Sequence, residues 1–96
     1  MYATVRRYEG VSDPSEAARR VNEGFVPIIS QIPGLVAYYW VDAGGNVMVS
    51  TSIFENEAGA RESNTRAADW VRENLASLLP NPPQVTAGEV VAYKAE

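Results

Sequence analysis

Residues 33–54 read PGLVAYYWVDAGGNVMVSTSIF, a helix stop followed by two apolar strands around a glycine turn. Successive side chains of a strand point to opposite faces. The first strand, Leu35–Val41, is apolar on both: one face carries Leu35, Ala37, Tyr39 and Val41, and the other carries Val36, Tyr38 and Trp40. An antiparallel sheet with one wet face should alternate apolar with polar instead. We therefore expect both faces to be covered, the second of them by another copy of the chain.

A first strand and a first helix precede this hairpin. Tyr2–Tyr8 is rich in β-branched and aromatic residues, which favours a strand. Asp13-Pro14-Ser15-Glu16 is a helix start, with Asp13 as N-cap and Glu16 in capping-box position. An apolar stripe at helical spacing follows: Ala17, Val21, Phe25, Ile28, Ile29 and Ile32. Pro27 should kink this helix near Gly24, and Pro33 should end it.

A second helix and a last strand follow the hairpin. The third strand, Val47–Phe54, alternates apolar with small polar residues, and Asn56 can cap the helix after it. The predicted inward stripe of that helix is Ala60, Asn64, Ala67, Ala68, Val71, Leu75, Leu78 and Leu79. Pro80 should stop it, and Val85 to Lys94 is the predicted last strand. The order β-α-β-β-α-β predicts one α+β, ferredoxin-like domain over residues 1–96 with a four-stranded antiparallel sheet.

Composition limits the chemistry. The chain has 96 residues and a formal net charge of −4, which argues against a nucleic-acid partner because phosphate binding needs clustered Lys and Arg. No apolar run approaches a membrane span, so we expect no membrane partner and a cytoplasmic location. The chain has no Cys and no His, which removes thiolate nucleophiles, imidazole bases and the commonest metal ligands. We therefore expect neither a metal nor a cofactor.

Several segments resemble the antibiotic biosynthesis monooxygenase-like family of the dimeric α/β-barrel superfamily. They are Gly24-Phe25-Val26-Pro27-Ile28, Pro33-Gly34-Leu35-Val36-Ala37-Tyr38, Val49-Ser50-Thr51-Ser52-Ile53-Phe54-Glu55 and Ala68-Asp69-Trp70-Val71. The resemblance implies a homodimer whose two sheets close into a barrel, with a small-molecule pocket in each subunit between helices and sheet. Fold alone does not select a reaction among the members of such a superfamily.

Two branches of this superfamily can be compared with the chain residue by residue. The haem-degrading branch resembles an arrangement of Asn, Trp and His, whereas this chain has Trp70 but no Asn in Tyr2–Tyr8 and no His. The cofactor-independent quinol oxygenases use Asn, Trp, Tyr and Arg to orient a polyphenol. The corresponding residue types here are Asn64, Trp70, Tyr39 and Arg7, although their spacing reproduces no motif.

Each candidate also has a structural interpretation. Asn64 either holds a substrate hydroxyl or satisfies a buried backbone group or a water. Arg6 and Arg7 point to opposite faces of their strand, and the inward one either pairs with Glu89 or binds an anionic or phenolate substrate. Tyr38 and Tyr39 also face opposite ways, and which of them faces the helices is not fixed by sequence.

Two functions therefore stay open. The first is a cofactor-independent monooxygenase or isomerase that acts on a hydrophobic phenolic or quinone-like small molecule. The second is a non-catalytic dimeric module that binds a small ligand or serves as a structural element. The first needs a real cavity with a polar side chain inside, whereas the second tolerates a filled interior.

Overall fold

The computed structural model of the chain describes residues 1–95. Four antiparallel strands form one sheet in the order β2-β3-β1-β4, and the helices pack on one of its faces. The elements, in chain order, are β1 (Tyr2–Tyr8), α1 (Pro14–Arg20), a π-helical turn (Val21–Phe25), α2 (Val26–Ile29), β2 (Leu35–Gly44), β3 (Val47–Phe54), α3 (Glu57–Asn74) and β4 (Gln84–Glu89). This is the predicted β-α-β-β-α-β ferredoxin-like fold. The single domain expected over 1–96 ends at Glu96, outside the described residues.

The β2-β3 hairpin matches the prediction with two corrections. Strand β2 runs to Gly44 and not to Val41, with a register shift between Asp42 and Gly44, and its start also differs. Leu35 pairs with Phe54 and Ala37 pairs with Ile53, so the register shifts by one residue at Val36. Because of this β-bulge, Leu35 lies on the helix side with Tyr38 and Trp40, and not on the face of Ala37. The turn is formed by Gly44, Gly45 and Asn46, whose φ angles of 83°, 60° and 61° explain its glycines.

The first helical segment is interrupted as the proline predicts. Asp13 caps α1, because its Oδ1 accepts from the Glu16 backbone N–H at 3.2 Å. The Glu16 carboxylate binds Arg19 and Arg20 instead of reaching back to the cap. The Val26 N–H donates to the Val21 carbonyl, five residues earlier. Pro27 has no backbone N–H to donate to the preceding turn. The extra residue of the π-helical turn lets the helix continue past the proline despite this missing hydrogen bond.

Helix α3 begins at the predicted cap, where the Gly59 N–H donates to Asn56 Oδ1 at 3.0 Å. The helix ends at Asn74 and not at Pro80 as predicted, because Leu75 at its C-cap leaves the helical conformation. Its buried face is also shifted from the predicted stripe, since Ser63 is buried whereas Ala68 is exposed. The buried residues of this region are Gly59, Ala60, Ser63, Ala67, Leu75 and Leu79. The helix therefore presents small side chains to the sheet.

Strand β4 is shorter than predicted. Its last residue, Glu89, pairs with Tyr2, the first residue of β1. A strand needs a neighbouring strand for its backbone hydrogen bonds. The last such bond runs from the Val90 N–H to the carbonyl of Met1, the first residue given, so the residues after Val90 have no partner on β1. Residues 91–95 consequently leave the sheet, and Val91 is 94% exposed. The predicted strand to Lys94 is thus wrong at its end.

The two faces of the sheet differ in an unusual way. The inner face, under the helices, carries the buried apolar side chains of Tyr8, Met48 and Phe54. Between them it also carries buried polar residues: Thr4, Arg6, Ser50 and Ser52. The open face is mostly apolar, and it carries Ala3, Val5, Ala37, Tyr39, Val41, Val47, Val49, Thr51 and Ile53. No helix within residues 1–95 is long and apolar enough to cross a membrane.

Candidate functional site

An interior pocket lies between the inner face of the sheet and the helices. Its polar lining consists of Arg6, Tyr38, Trp40, Ser50, Ser52 and Asn64. Its other lining residues are Tyr8, Val21, Phe25, Ile29, Ser63, Ala67, Trp70 and Val71. The free space amounts to about 10 Å³, which is about the room that one water molecule needs. The side chains are thus assembled around a nearly closed space.

Trp40 brings an unused hydrogen-bond donor to this pocket. Its Nε1 is buried and has no hydrogen-bond partner among residues 1–95. The indole packs on the Tyr8 ring, with 5.5 Å between the ring centroids, and this contact fixes its position. A buried polar group without a partner is rare and costs roughly 1–3 kcal/mol. An acceptor atom placed in the pocket would remove that cost.

Arg6 brings a buried positive charge. Only 8% of the residue is exposed, and its Nε donates to the Tyr8 hydroxyl at 3.0 Å. Within residues 1–95 no carboxylate lies within 4.0 Å of its guanidinium. Glu89, the partner considered from the sequence, instead lies 4.0 Å from the N-terminal amine and is 70% exposed. The buried cation is therefore available to an anion.

Tyr38 remains a proton donor at neutral pH. Burial raises the pKa of its hydroxyl well above the ordinary value, and the neighbouring Tyr8 acts in the same direction. Its ring packs edge-on against Phe25, with the centroids 5.6 Å apart. Tyr38 is paired with Ser52 across the β2-β3 ladder, so their side chains lie side by side on the inner face.

Asn64 reaches the pocket from α3. Its Nδ2 donates to Thr4 Oγ1 at 3.5 Å, the long limit for a hydrogen bond. Thr4 is fully buried on β1. A bond this long stabilises the fold little, so the amide keeps most of its capacity for another partner.

Trp70 separates the interior pocket from the surface. It lines the pocket on one side and, on the other, a surface depression that also includes Gly24 and Arg20. A Cβ on Gly24 would lie 2.8 Å from Trp70 Cζ2. The glycine therefore lets the indole lie directly on the π-helical turn, against Phe25 at 5.5 Å between centroids.

The four residues singled out from the sequence divide between the two faces. Asn64 and Trp70 line the interior pocket. Arg7 and Tyr39 lie on the open face, where Arg7 pairs with Glu9 at 3.2 Å and Tyr39 is 57% exposed. Their sequence neighbours Arg6 and Tyr38 line the interior pocket instead.

Sequence reasoning missed Ser50, Ser52 and Trp40 as site residues. A signal for the serines was present, because β3 places Ser50 and Ser52 on one face between Met48 and Phe54, opposite Val47, Val49, Thr51 and Ile53. The polar side was not recognised as the helix side, since helices normally cover apolar sheet faces.

The pocket lining contains no carboxylate. Nowhere in residues 1–95 do three or more Asp or Glu side chains gather in a group that could hold a metal ion. The groups present can donate hydrogen bonds and stabilise negative charge. They offer no side chain that is a general base at neutral pH.

Comparison with solved structures identifies the fold. No family model and no curated protein matches the chain. A protein of unknown function from Nitrosomonas europaea superposes with a TM-score of 0.78 at 24% identity, over 99% of this chain and 93% of the other. The ActVA-Orf6 monooxygenase of Streptomyces coelicolor, solved with the ligand nanaomycin D, gives 0.75 at 21% identity, over 99% and 91%.

A candidate antibiotic biosynthesis monooxygenase from Nitrosomonas europaea gives 0.72 at 14% identity, over 96% of this chain and all of the other. The structural neighbours thus include antibiotic biosynthesis monooxygenase-like proteins, as the sequence resemblance implied. At these identities the likeness establishes the fold, and the activity has to be argued from the pocket.

Proposed function

We propose that the interior pocket binds a planar phenolic or quinone-like molecule and that the protein oxygenates it without a cofactor. The observation that carries the proposal is the surplus of donors on the inner face. Trp40 Nε1 has no partner within residues 1–95 and Arg6 has no carboxylate there, while the Tyr38 hydroxyl, whose pKa burial raises, stays protonated beside Ser50. Such a lining suits a ligand with acceptor oxygens, and the aromatic rings around it suit a flat apolar body.

The reaction we propose uses molecular oxygen as the oxidant. A phenol ring carbon takes one oxygen atom from O2, and the other oxygen leaves as water with two hydrogens of the substrate. The ring supplies all four electrons, so a phenol becomes a quinone and no external reductant is required. Arg6 and the neighbouring donors favour the phenolate, the form that reacts with oxygen, by stabilising its charge.

Oxygenation is favoured over isomerisation by what the pocket lacks. An isomerase moves a proton between carbon atoms and needs a side chain that accepts and returns it. The lining residues include neither a carboxylate nor an imidazole. A phenol, in contrast, loses its proton to water once its anion is stabilised.

Binding requires the pocket to open. A space of about 10 Å³ admits no aromatic ring, so a side chain in the wall has to move. Trp70 is suited to this, because it alone stands between the pocket and the depression beside Gly24. We propose that the indole swings outward over the glycine when a ligand enters.

We also propose that the chain is a homodimer joined through the open face. The face carries aliphatic side chains on β1, β2 and β3, with Val41 47% and Tyr39 57% exposed. An apolar surface spanning three strands is typical of an interaction site. A second copy offers a surface of the same shape, and two sheets stacked face to face would bury both.

The test uses the fact that the chain has two tryptophans, Trp40 and Trp70, and both line the pocket. Nanaomycin D is titrated into the protein while tryptophan fluorescence is recorded. We expect nanaomycin D to quench the tryptophan fluorescence saturably. Trp70→Phe should reduce the amplitude of this quenching, and Asn64→Leu should raise the nanaomycin D concentration at half-saturation. Oxygen uptake with 1-naphthol should yield 1,4-naphthoquinone in equal amount to the oxygen consumed.

The second candidate, a non-catalytic dimeric module, is favoured by one observation, the small volume of the pocket. Both forms of this module predict no oxygen uptake with the dimer intact, and a purely structural element also predicts no quenching by nanaomycin D. Quenching without oxygen uptake would identify a ligand-binding module. The two measurements thus separate the alternatives.

A further inference from the structure

Arg6 and Tyr8 face a second space that the proposed function does not use. This second space is a groove between the C-terminal part of α3 and residues 79–83, and we call it the proline groove after Pro80, Pro82 and Pro83 in its lining. Its lining includes Ala68, Arg72, Pro80, Asn81 and Pro83, and its volume is about 330 Å³. Arg6, Tyr8 and Val71 line both the groove and the interior pocket. They form the wall between a closed space and an open one.

Arg6 differs from every other arginine in residues 1–95 in having no carboxylate beside it. The others each lie within 4.0 Å of a carboxylate: Arg7, Arg19, Arg20, Arg61, Arg66 and Arg72. Those arginines are exposed enough for water to solvate them, whereas Arg6 is 8% exposed. Burial makes an unpaired charge costly, so Arg6 would gain more from a bound anion than the exposed arginines would. It is also the arginine without a carboxylate nearby in the described part of the chain.

The wall of the groove is held in place before any ligand arrives. Asn81 Nδ2 donates to the Glu9 carbonyl at 3.1 Å, which ties the segment to the end of β1. The prolines at 80, 82 and 83 fix their own φ angles. A preorganised wall loses little entropy when a ligand binds.

We propose that the proline groove receives a carboxylate group of the molecule bound in the interior pocket, and that this carboxylate binds Arg6. The inference rests on the proposed function, since it extends the same ligand. Arg6 uses Nε for the Tyr8 hydroxyl, which leaves the two terminal nitrogens for a bidentate pair with a carboxylate. The Tyr8 oxygen accepts from Arg6, so its own proton is free to donate to the same anion. Arg72 stands at the groove and is already paired with Asp69 at 2.8 Å.

A matched ligand pair tests this on the unaltered protein. 2-Naphthoate and 2-naphthamide have the same ring and differ in charge, and calorimetry gives the dissociation constant of each. We expect naphthoate to bind about tenfold more tightly, the usual effect of one charge-assisted bidentate pair. Equal binding would overturn the carboxylate inference and leave the proposed function standing. Failure of both ligands to bind at millimolar concentration would overturn both.

Variants locate the effect. Arg6→Met should bring the two dissociation constants within about twofold, whereas Arg66→Met, which removes an exposed arginine from α3, should keep the tenfold preference. Ala68→Phe narrows the groove without touching the core and should weaken naphthoate at least fivefold, with Ala58→Phe, exposed on the first turn of α3, as its control. A preference that survives both Arg6→Met and Ala68→Phe would contradict the proposal.

Discussion

The two faces of this sheet differ at its centre: the inner face sets buried polar side chains among the apolar core, whereas the open face is mostly apolar. In β3, Ser50 and Ser52 lie under the helices and Val49 and Ile53 point outward. A sheet that faced water on one side would carry them the other way round. The difference teaches that the polar centre of the inner face and the apolar open face each need an explanation beyond the packing of one core. The proposed ligand accounts for the first, and the proposed dimer accounts for the second.

The two faces also differ in how closely they are packed. On the inner side, Trp70 lies so close to Gly24 that one methyl group would collide with it. On the open side, a Cβ on Gly88 would meet nothing within 4 Å. The inner side is closely packed and has little free space, whereas the open side is a surface that the proposed dimer would cover.

The largest effect is expected from a charge on the open face. Thr51 pairs with Val5 on β1 and Tyr39 on β2, so it lies at the centre of that face. Thr51→Lys should raise the dissociation constant of the dimer about 100-fold, roughly 3 kcal/mol, because the ammonium would be buried without a partner. Sedimentation equilibrium measures this, with Thr65→Lys on the exposed side of α3 as the matched control. A wild-type chain that stays monomeric at micromolar concentration would refute the dimer.

A smaller effect is expected where the inner side is packed most tightly. Gly24→Ala should lower the free energy of unfolding by roughly 1–3 kcal/mol, since the rigid indole of Trp70 has to move. The matched variant Gly88→Ala adds the same methyl group to the open face and should change it by less than about 0.5 kcal/mol. Chemical denaturation at matched protein concentration compares them. Equal effects would mean that Trp70 is not held against the π-helical turn.

Asn64→Leu should affect the ligand more than the fold. Its bond to Thr4 is 3.5 Å long, so we expect a loss of less than about 1 kcal/mol in unfolding free energy. Affinity for nanaomycin D should fall about tenfold, as for a lost polar contact. Asn22→Leu, on an exposed part of the first helical segment, controls for the change of side chain. A stability loss of roughly 1–3 kcal/mol with unchanged quenching would make Asn64 a structural residue.

The sequence predicted the order of elements well because the signals involved are local. Asp13 and Asn56 cap their helices as expected, and Val47–Phe54 is the predicted third strand. The failures depend on what lies across the sheet. The bulge at Val36 follows from pairing with β3, and the end of β4 follows from where β1 begins.

The site was predicted only in part, for the same reason. Alternation showed that Arg6 and Arg7 face opposite ways, and that Tyr38 and Tyr39 do too. It gave no indication of which member of each pair lies under the helices. Asn64 and Trp70 both line the interior pocket, and the periodicity of the helix was the signal that pointed to Asn64. Arg6 and Trp40 distinguish the pocket because, within residues 1–95, Arg6 has no carboxylate beside it and Trp40 Nε1 has no hydrogen-bond partner. Only the three-dimensional structure reveals this.

The claim that the inner face is polar at its centre for a ligand is tested most directly by removing the two serine hydroxyls there. The measurement is the unfolding free energy of Ser50→Ala/Ser52→Ala, by chemical denaturation at matched dimer concentration, together with its nanaomycin D titration. If the inner face is polar for a ligand, stability should hold or rise while affinity falls. A loss of about 1 kcal/mol or more with unchanged ligand binding would show that the serines serve the fold, and would contradict the account.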